Sequence, residues 1–364
     1  MNLGMERLAI GIAQRALLAR VSPGSVRRQL TGKHYPSAPP PDGRRVRLGV
    51  VQLEGRLYAR LSDYIEQVCQ LTRRAVEDGA QLVIFPEDTG SYPLAGLIPG
   101  IERLTSGGKG KPPSEAVREG SAPVLFLFRI LAPAASRAHH VAFSTLARSC
   151  GAYILAGSTL TLDSARRVYK EVRLYGPDGA LLVTQRKTHL FPTEALWGMS
   201  HDEVINVIQT PVGVLASPIC MDHTYFEPVR IAWLQGAEII IDPAADAARY
   251  EFWAQRRGVW SRVQESPAYG VHALMVGHIL GNEFGGRSGV YAPLALSPNG
   301  DGVLAQAATG DAEEVFCATV DLEALRAYRR ERAPDFNVAL YRKYTPQAYM
   351  QARAARQNGR RVVA

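Results

Sequence analysis

The sequence is poor in cysteine: its 364 residues hold four, Cys69, Cys150, Cys220 and Cys317. They lie too far apart for a CxxC pair, a zinc ladder or the disulfide framework of a small secreted scaffold. Long apolar runs are missing as well, since none approaches the ~18 residues of a membrane-spanning helix. The N-terminal stretch is interrupted by Glu6, Arg7 and Arg15 and lacks the apolar region and cleavage site of a signal peptide, so a cytoplasmic protein is predicted. With 46% hydrophobic, 21% charged and 8% aromatic residues, the balance is globular and excludes disorder and collagen. Charge of one sign is absent from the body of the chain. Of the net +8, residues 1–45 carry eight Arg and Lys against Glu6 and Asp42, and residues 351–364 carry four Arg and no acid, which leaves −2 for the middle. Basic ends of this kind read as solvated tails, and no nucleic-acid partner is expected.

What is present is a regular alternation. Residues 1–20 pattern as a helix with Leu3, Ile10 and Leu17 at heptad spacing, without one clean apolar stripe; a membrane surface or a partner is a contact open to it. The Pro-rich run from Ser37 to Gly43 reads as a linker. The division that follows is a basic N-terminal helix and linker over 1–45, a main domain over 46–332 and a basic C-terminal extension over 333–364. From Val46 onward, β-like runs (46–52, 81–85, 153–157, 168–174, 181–185, 204–208, 212–219, 238–242, 271–277, 303–307, 315–320) are interspersed with helix-like ones (61–78, 138–149, 225–235, 250–265). QLVIF and EIIID are apolar on both faces, as strands covered on two sides must be, so an α/β layered domain is predicted. Thr105–Ser121 reads as a surface insertion, and the apolar 122–135 as a buried segment.

Three polar residues stand at or just beyond the downstream ends of strand-like runs: Glu87, Lys187 and Cys220. In layered α/β folds that edge opens into the ligand crevice. Their chemistries are complementary. A free thiol is only slightly ionised at neutral pH and needs a base, which Glu87 can supply. Lys187 can hold the oxyanion of a tetrahedral intermediate. The Met221 backbone N–H is a candidate second donor. Because the Lys187 charge would act on the transition state, Lys187→Met is predicted to abolish turnover with little loss of folding.

The segments Phe85-Pro-Glu87, Arg186-Lys187-Thr-His189-Leu190-Phe191 and Ile219-Cys220-Met-Asp222 resemble, in order, the three signature regions of the carbon-nitrogen hydrolase (nitrilase) superfamily. Gly151-Ala-Tyr-Ile-Leu-Ala-Gly157, Tyr175-Gly-Pro-Asp178-Gly179 and Gly236-Ala237-Glu238 add to the likeness, which spans about residues 46–325. The resemblance implies a four-layer α-β-β-α sandwich that pairs into homodimers or larger homo-oligomers. It also implies a mechanism without metal or organic cofactor: Cys220 attacks a C–N carbon, Glu87 shuttles protons, Lys187 steadies the oxyanion, and water releases a thioester. Glu194 is the nearest candidate for the second glutamate that family amidases carry after the Lys, and is equally readable as a loop carboxylate. His223, unusual beside the nucleophile, either lines the pocket or is a loop histidine satisfied by its neighbours. Thr224 stands in place of the family's Arg and Phe226 in place of its Pro. Cys-Met-Asp differs from the Cys-Trp-Glu of true nitrilases, which favours amides over nitriles. The expected activity is an amidohydrolase acting on a small-molecule carboxamide and releasing ammonia or an amine. An N-carbamoyl amidohydrolase and a catalytically retired binding protein are the alternatives. Neither the Gly-rich 107–111 run nor His139-His140 has the spacing of a phosphate loop or a metal site.

Overall fold

The computed structural model describes residues 3–98, 101, 121–333 and 336–357. The expected surface insertion at 105–121 lies outside them except for Ser121. Two compact units divide the chain at Leu322, with Met1–Leu322 in the first and Glu323–Ala364 in the second. In chain order the first half of the large unit runs α1 (Leu3–Arg20), α2 (Pro23–Leu30), β1 (Arg45–Glu54), α3 (Leu61–Glu77), β2 (Leu82–Ile84), α4 (Tyr92–Ala95), α5 (Ser121–Cys150), β3 (Tyr153–Leu162), β4 (Val168–Tyr175), β5 (Leu181–Arg186) and α6 (Pro192–Leu196). There follow β6 (Val207–Thr210), β7 (Gly213–Ala216), a 3-10 turn (Cys220–Thr224), α7 (Phe226–Leu234), β8 (Ile239–Ala244), α8 (Phe252–Arg256), α9 (Val259–Glu265), β9 (Tyr269–Ile279), β10 (Asn282–Phe284), β11 (Gly289–Tyr291), β12 (Val303–Gln306) and β13 (Glu314–Asp321). Helix α10 (Leu322–Arg332) leads into the small unit, which also holds α11 (Val338–Gln357).

The strands form two layers. One has the order β5-β4-β3-β2-β1, with β1, β2 and β3 parallel and β13 antiparallel on the far side of β1. The other has β6-β7-β8-β9, with β7, β8 and β9 parallel and β11 and β12 beyond β9. A short seam joins them where Leu53 and Glu54 of β1 pair with Met275 and Val276 of β9. The layers face each other: Leu155, Val172, Leu174 and Val183 of the first and Ile208, Leu215 and Ile241 of the second line one narrow gap between them. Helices α3 and α5 cover the outer face of the first layer, and α7 and α9 that of the second. The result is the α-β-β-α sandwich expected from the resemblance.

The N-terminal helices are part of this core. Leu17 of α1 and Val26 and Leu30 of α2 are buried with residues of α3 and α5, and the Ala38 N–H of the Pro-rich run donates to the Cys150 carbonyl at 2.8 Å. Helix α5 continues through Pro133, joining the predicted apolar segment to the predicted helix. Proline has no N–H for the carbonyl four residues back, which here belongs to Arg129. The Gln14 side-chain amide of α1 donates to that oxygen at 2.6 Å. Gln14→Ala is expected to cost about 1 kcal/mol of stability, the usual worth of one such bond; an unchanged urea midpoint would show that the carbonyl is satisfied without it. The helix predicted over 250–265 is split at Gly258 into α8 and α9. Among the described residues no helix is long and apolar enough to cross a membrane.

Candidate active site

Glu87 comes from the loop after β2. Its position depends on Gly157 of β3, where φ is +72° and an added Cβ would sit 2.0 Å from the Pro86 carbonyl oxygen. Only a residue without a side chain lets the Phe85-Pro86-Glu87 segment lie this close. Asp88, with φ +61°, is fastened by its own N–H to Ser158 Oγ at 2.8 Å. Lys187 follows β5 directly, and its N–H donates to the Lys170 carbonyl of β4 at 3.0 Å, extending the ladder by one step. Cys220 lies beyond β7, where the extended Ile219 gives way to the 3-10 turn. Cys220 takes φ +49°, a left-handed conformation that costs a β-carbon residue on the order of 1 kcal/mol. The Asp242 carboxyl of β8 holds its N–H at 3.1 Å.

Glu87, Lys187 and Cys220 line one cavity of about 430 Å³. Inside it, charges are closely paired. Lys187 Nζ donates to Glu87 Oε1 at 2.8 Å and to Glu194 Oε1 at 3.0 Å. A second ammonium, Lys170, reaches the same two oxygens at 3.1 and 2.6 Å and Asp88 Oδ2 at 2.6 Å. Glu194 Oε2 is held by the Phe191 N–H at 2.7 Å. All five side chains are almost wholly buried. Asp246, on the loop after β8, opens onto the cavity with Oδ1 3.8 Å from Cys220 Sγ.

This electrostatic setting has directions. Burial pushes the Lys187 ammonium toward losing its proton, but the negative charges available to Cys220, Glu87 and Glu194 outweigh it, and its pKa rises above the usual lysine value. Burial and the Glu87 charge push the Cys220 thiol well up, with Lys187 pulling the other way. The sulfur thus rests protonated and needs a neighbour to take its proton. Burial raises Glu194, yet Lys170 and then Lys187 overcome it and bring the carboxyl down to about 2. Asp246 is raised to about 6 by the protein packed around it and by the Glu87 charge. Among the described residues no group of three His, Cys, Asp or Glu side chains is placed to hold a metal ion.

The structure therefore brings Glu194 onto the Lys187 ammonium. It places His223 elsewhere: the ring is buried behind the nucleophile, its Nε2 2.9 Å from the Pro218 carbonyl, and it is absent from the cavity lining. His223 therefore does not line the cavity, and burial lowers its pKa to about 4. The Met221 side chain is likewise absent from the lining; its sulfur lies 3.8 Å from Thr224 Oγ1. Lys170, Asp88 and Asp246 are the site residues that sequence reasoning missed. Asp246 stands four residues beyond the EIIID run, too far for the strand-end rule, which points first to Asp242 at its end. Lys170 had a weak signal, a lysine inside the strand-like run 168–174.

A family model described as carbon-nitrogen hydrolase matches residues 47–330. Omega-amidase NIT2 of Xenopus tropicalis is 26% identical over 286 residues, covering 74% of this chain and 87% of that protein. Human omega-amidase NIT2 is 25% identical over 301 residues, covering 78% and 92%. Two solved structures share the fold: an amidase from Nesterenkonia sp., at 19% identity with TM-score 0.58 over 81% of this chain and 98% of that one, and Saccharomyces cerevisiae Nit3, of branch 10 of the nitrilase superfamily, at 20% identity with TM-score 0.57 over 79% and 94%. With signature residues and family match both running through the domain that builds the cavity, the chain belongs to the carbon-nitrogen hydrolase family, hydrolases that act on carbon-nitrogen bonds other than peptide bonds.

Proposed function

We propose that the chain is an amidohydrolase that cleaves a small carboxamide through a thioester on Cys220. The observation that carries this reading is the meeting of Cys220 with the hydrogen-bonded Lys187–Glu87 pair in one cavity. Glu87 takes the thiol proton, and the sulfur attacks the amide carbon. Lys187 donates to the oxygen as it becomes negative, where a fixed ammonium is worth more than a mobile water. Collapse of the tetrahedral intermediate breaks the C–N bond, and the leaving nitrogen collects the proton from Glu87. Water then adds to the thioester, giving up its proton to Glu87; the C–S bond breaks, Glu87 returns the proton to the departing Cys220 sulfur, and the acid is released. Asp246, beside the sulfur, supplies an acceptor for the N–H of the substrate's amide.

Support for an amide comes from the names of the relatives, omega-amidases and an amidase. The groups around the sulfur weigh against the N-carbamoyl alternative, whose substrates carry an acid. The lining acids Glu87, Asp88, Glu194, Asp246 and Glu251 outnumber its cations Lys170, Lys187, Arg249 and Arg257 by one, and Arg249 is paired with Glu283 at 3.0 Å. Incubation with a panel of neutral amides followed by intact-mass measurement tests the reading. An acyl adduct is expected on the wild-type chain and none on Cys220→Ala. Absence of adduct and of released ammonia across the panel would favour the retired binder.

A further inference from the structure

We infer that a second site, separate from the Cys220 cavity, binds the phosphate group of a small molecule in the open cleft between α5 and strands β3, β4 and β5. The cleft has a volume of about 600 Å³ and is lined, among others, by Arg137, Thr161, Glu171, Arg173 and Arg186. Three guanidiniums and one carboxylate share this lining, a surplus of two positive charges that suits a compact dianion and repels a metal ion. His140, also in the lining, has its pKa lowered by partial desolvation and by the Arg173 charge.

The cations are held in place before any ligand arrives. Glu171 spends one oxygen on Arg173, at 3.1 and 3.0 Å, and the other on Arg186 at 3.2 Å. Arg173 also donates to the Ser136 carbonyl and hydroxyl at 3.0 and 2.8 Å, and the Arg186 guanidinium lies over the Tyr169 ring at 4.3 Å. Fixed guanidiniums lose little freedom on binding. Arg173, whose Nε, Nη1 and Nη2 already donate to Glu171 and Ser136, supplies charge, while Arg186, which gives only Nε to Glu171, keeps N–H groups to match phosphate oxygens. Arg137 projects from α5, exposed, with no ion-pair partner among the described residues. Thr161, 6% exposed, carries a buried hydroxyl that has no hydrogen-bond partner among the described residues. Side chains alternate across a strand, so Glu171 and Arg186, paired across the β4–β5 ladder, face this cleft while Lys170 and Lys187, the next residues along, face the reaction cavity. The two sites lie on opposite faces of one sheet.

Isothermal titration of the full chain with inorganic phosphate, at ionic strength matched with chloride, tests the inference. Saturable binding of one phosphate per chain is expected. The double variant Arg137→Glu/Arg186→Gln should weaken it at least about tenfold; should that variant fail to fold, Arg137→Glu alone, at an exposed helix position, gives the same reading. Alkylating Cys220 with iodoacetamide should leave the affinity unchanged, because the modified sulfur is on the other face of the sheet. Heat without saturation, an affinity indifferent to the substitutions, or binding lost on alkylation would each overturn the site. None of these outcomes depends on amide turnover.

Discussion

Lys187→Met is expected to abolish turnover and to weaken the fold at the same time. The first effect follows from the proposed role: loss of a fixed donor to the oxyanion costs about 10²–10³ in rate. The second departs from what the sequence alone predicts. Lys187 is 1% exposed and lies between Glu87 and Glu194, so methionine leaves two buried carboxylates with one ammonium fewer. Breaking a buried ion pair from one side costs roughly 3–5 kcal/mol, and the lower end applies because Lys170 still reaches both oxygens. Single-turnover kinetics and urea melts on the same preparation separate the two. Retained turnover would refute the oxyanion role, and an unshifted midpoint would refute the tight five-membered charge cluster.

Asp222→Ala should be nearly as damaging, although Asp222 is absent from the cavity lining. The carboxylate is fully buried. One oxygen accepts from the Ile219 N–H at 2.8 Å, just before the nucleophile. The other accepts from the Thr188 hydroxyl at 2.7 Å and the His189 N–H at 2.6 Å, just after the lysine. One side chain therefore ties the Lys187 loop to the Cys220 turn. Truncation orphans these donors at ~1–3 kcal/mol each, an expected loss of about 4 kcal/mol. Turnover should fall at least about 10²-fold from misplacement of the reacting groups, while Asp222→Asn, which keeps the acceptor for Thr188 and His189, should recover part of it. Equal stability losses in both variants with turnover unaffected would assign Asp222 to the fold alone.

The order Glu87, Lys187, Cys220 and the layered fold were readable because both rest on local patterns: apolar runs of strand length, and a polar residue where each run ends. What could not be read depends on partners far away in the chain. Lys170 and Asp88 form their pair at 2.6 Å across 82 positions, and no periodicity says which buried charges will meet. The α5 helix was hidden by Pro133, a breaker in isolation, whose freed carbonyl is satisfied by a residue of α1. His223 looked conspicuous only because sequence adjacency to Cys220 says nothing of which way a ring turns inside a 3-10 turn.

The two strand layers meet along a seam of two residue pairs, and the chemical groups are divided between them. Glu87 and Lys187 ride on the first layer, Cys220 and Asp246 on the second. Neither half owns a complete set of reagents, so competence is acquired only when the halves dock in register. Any loosening that slides one against the other by a bond length would silence the enzyme while every helix and strand survived, which makes catalytic output a finer gauge of this fold's integrity than its secondary structure.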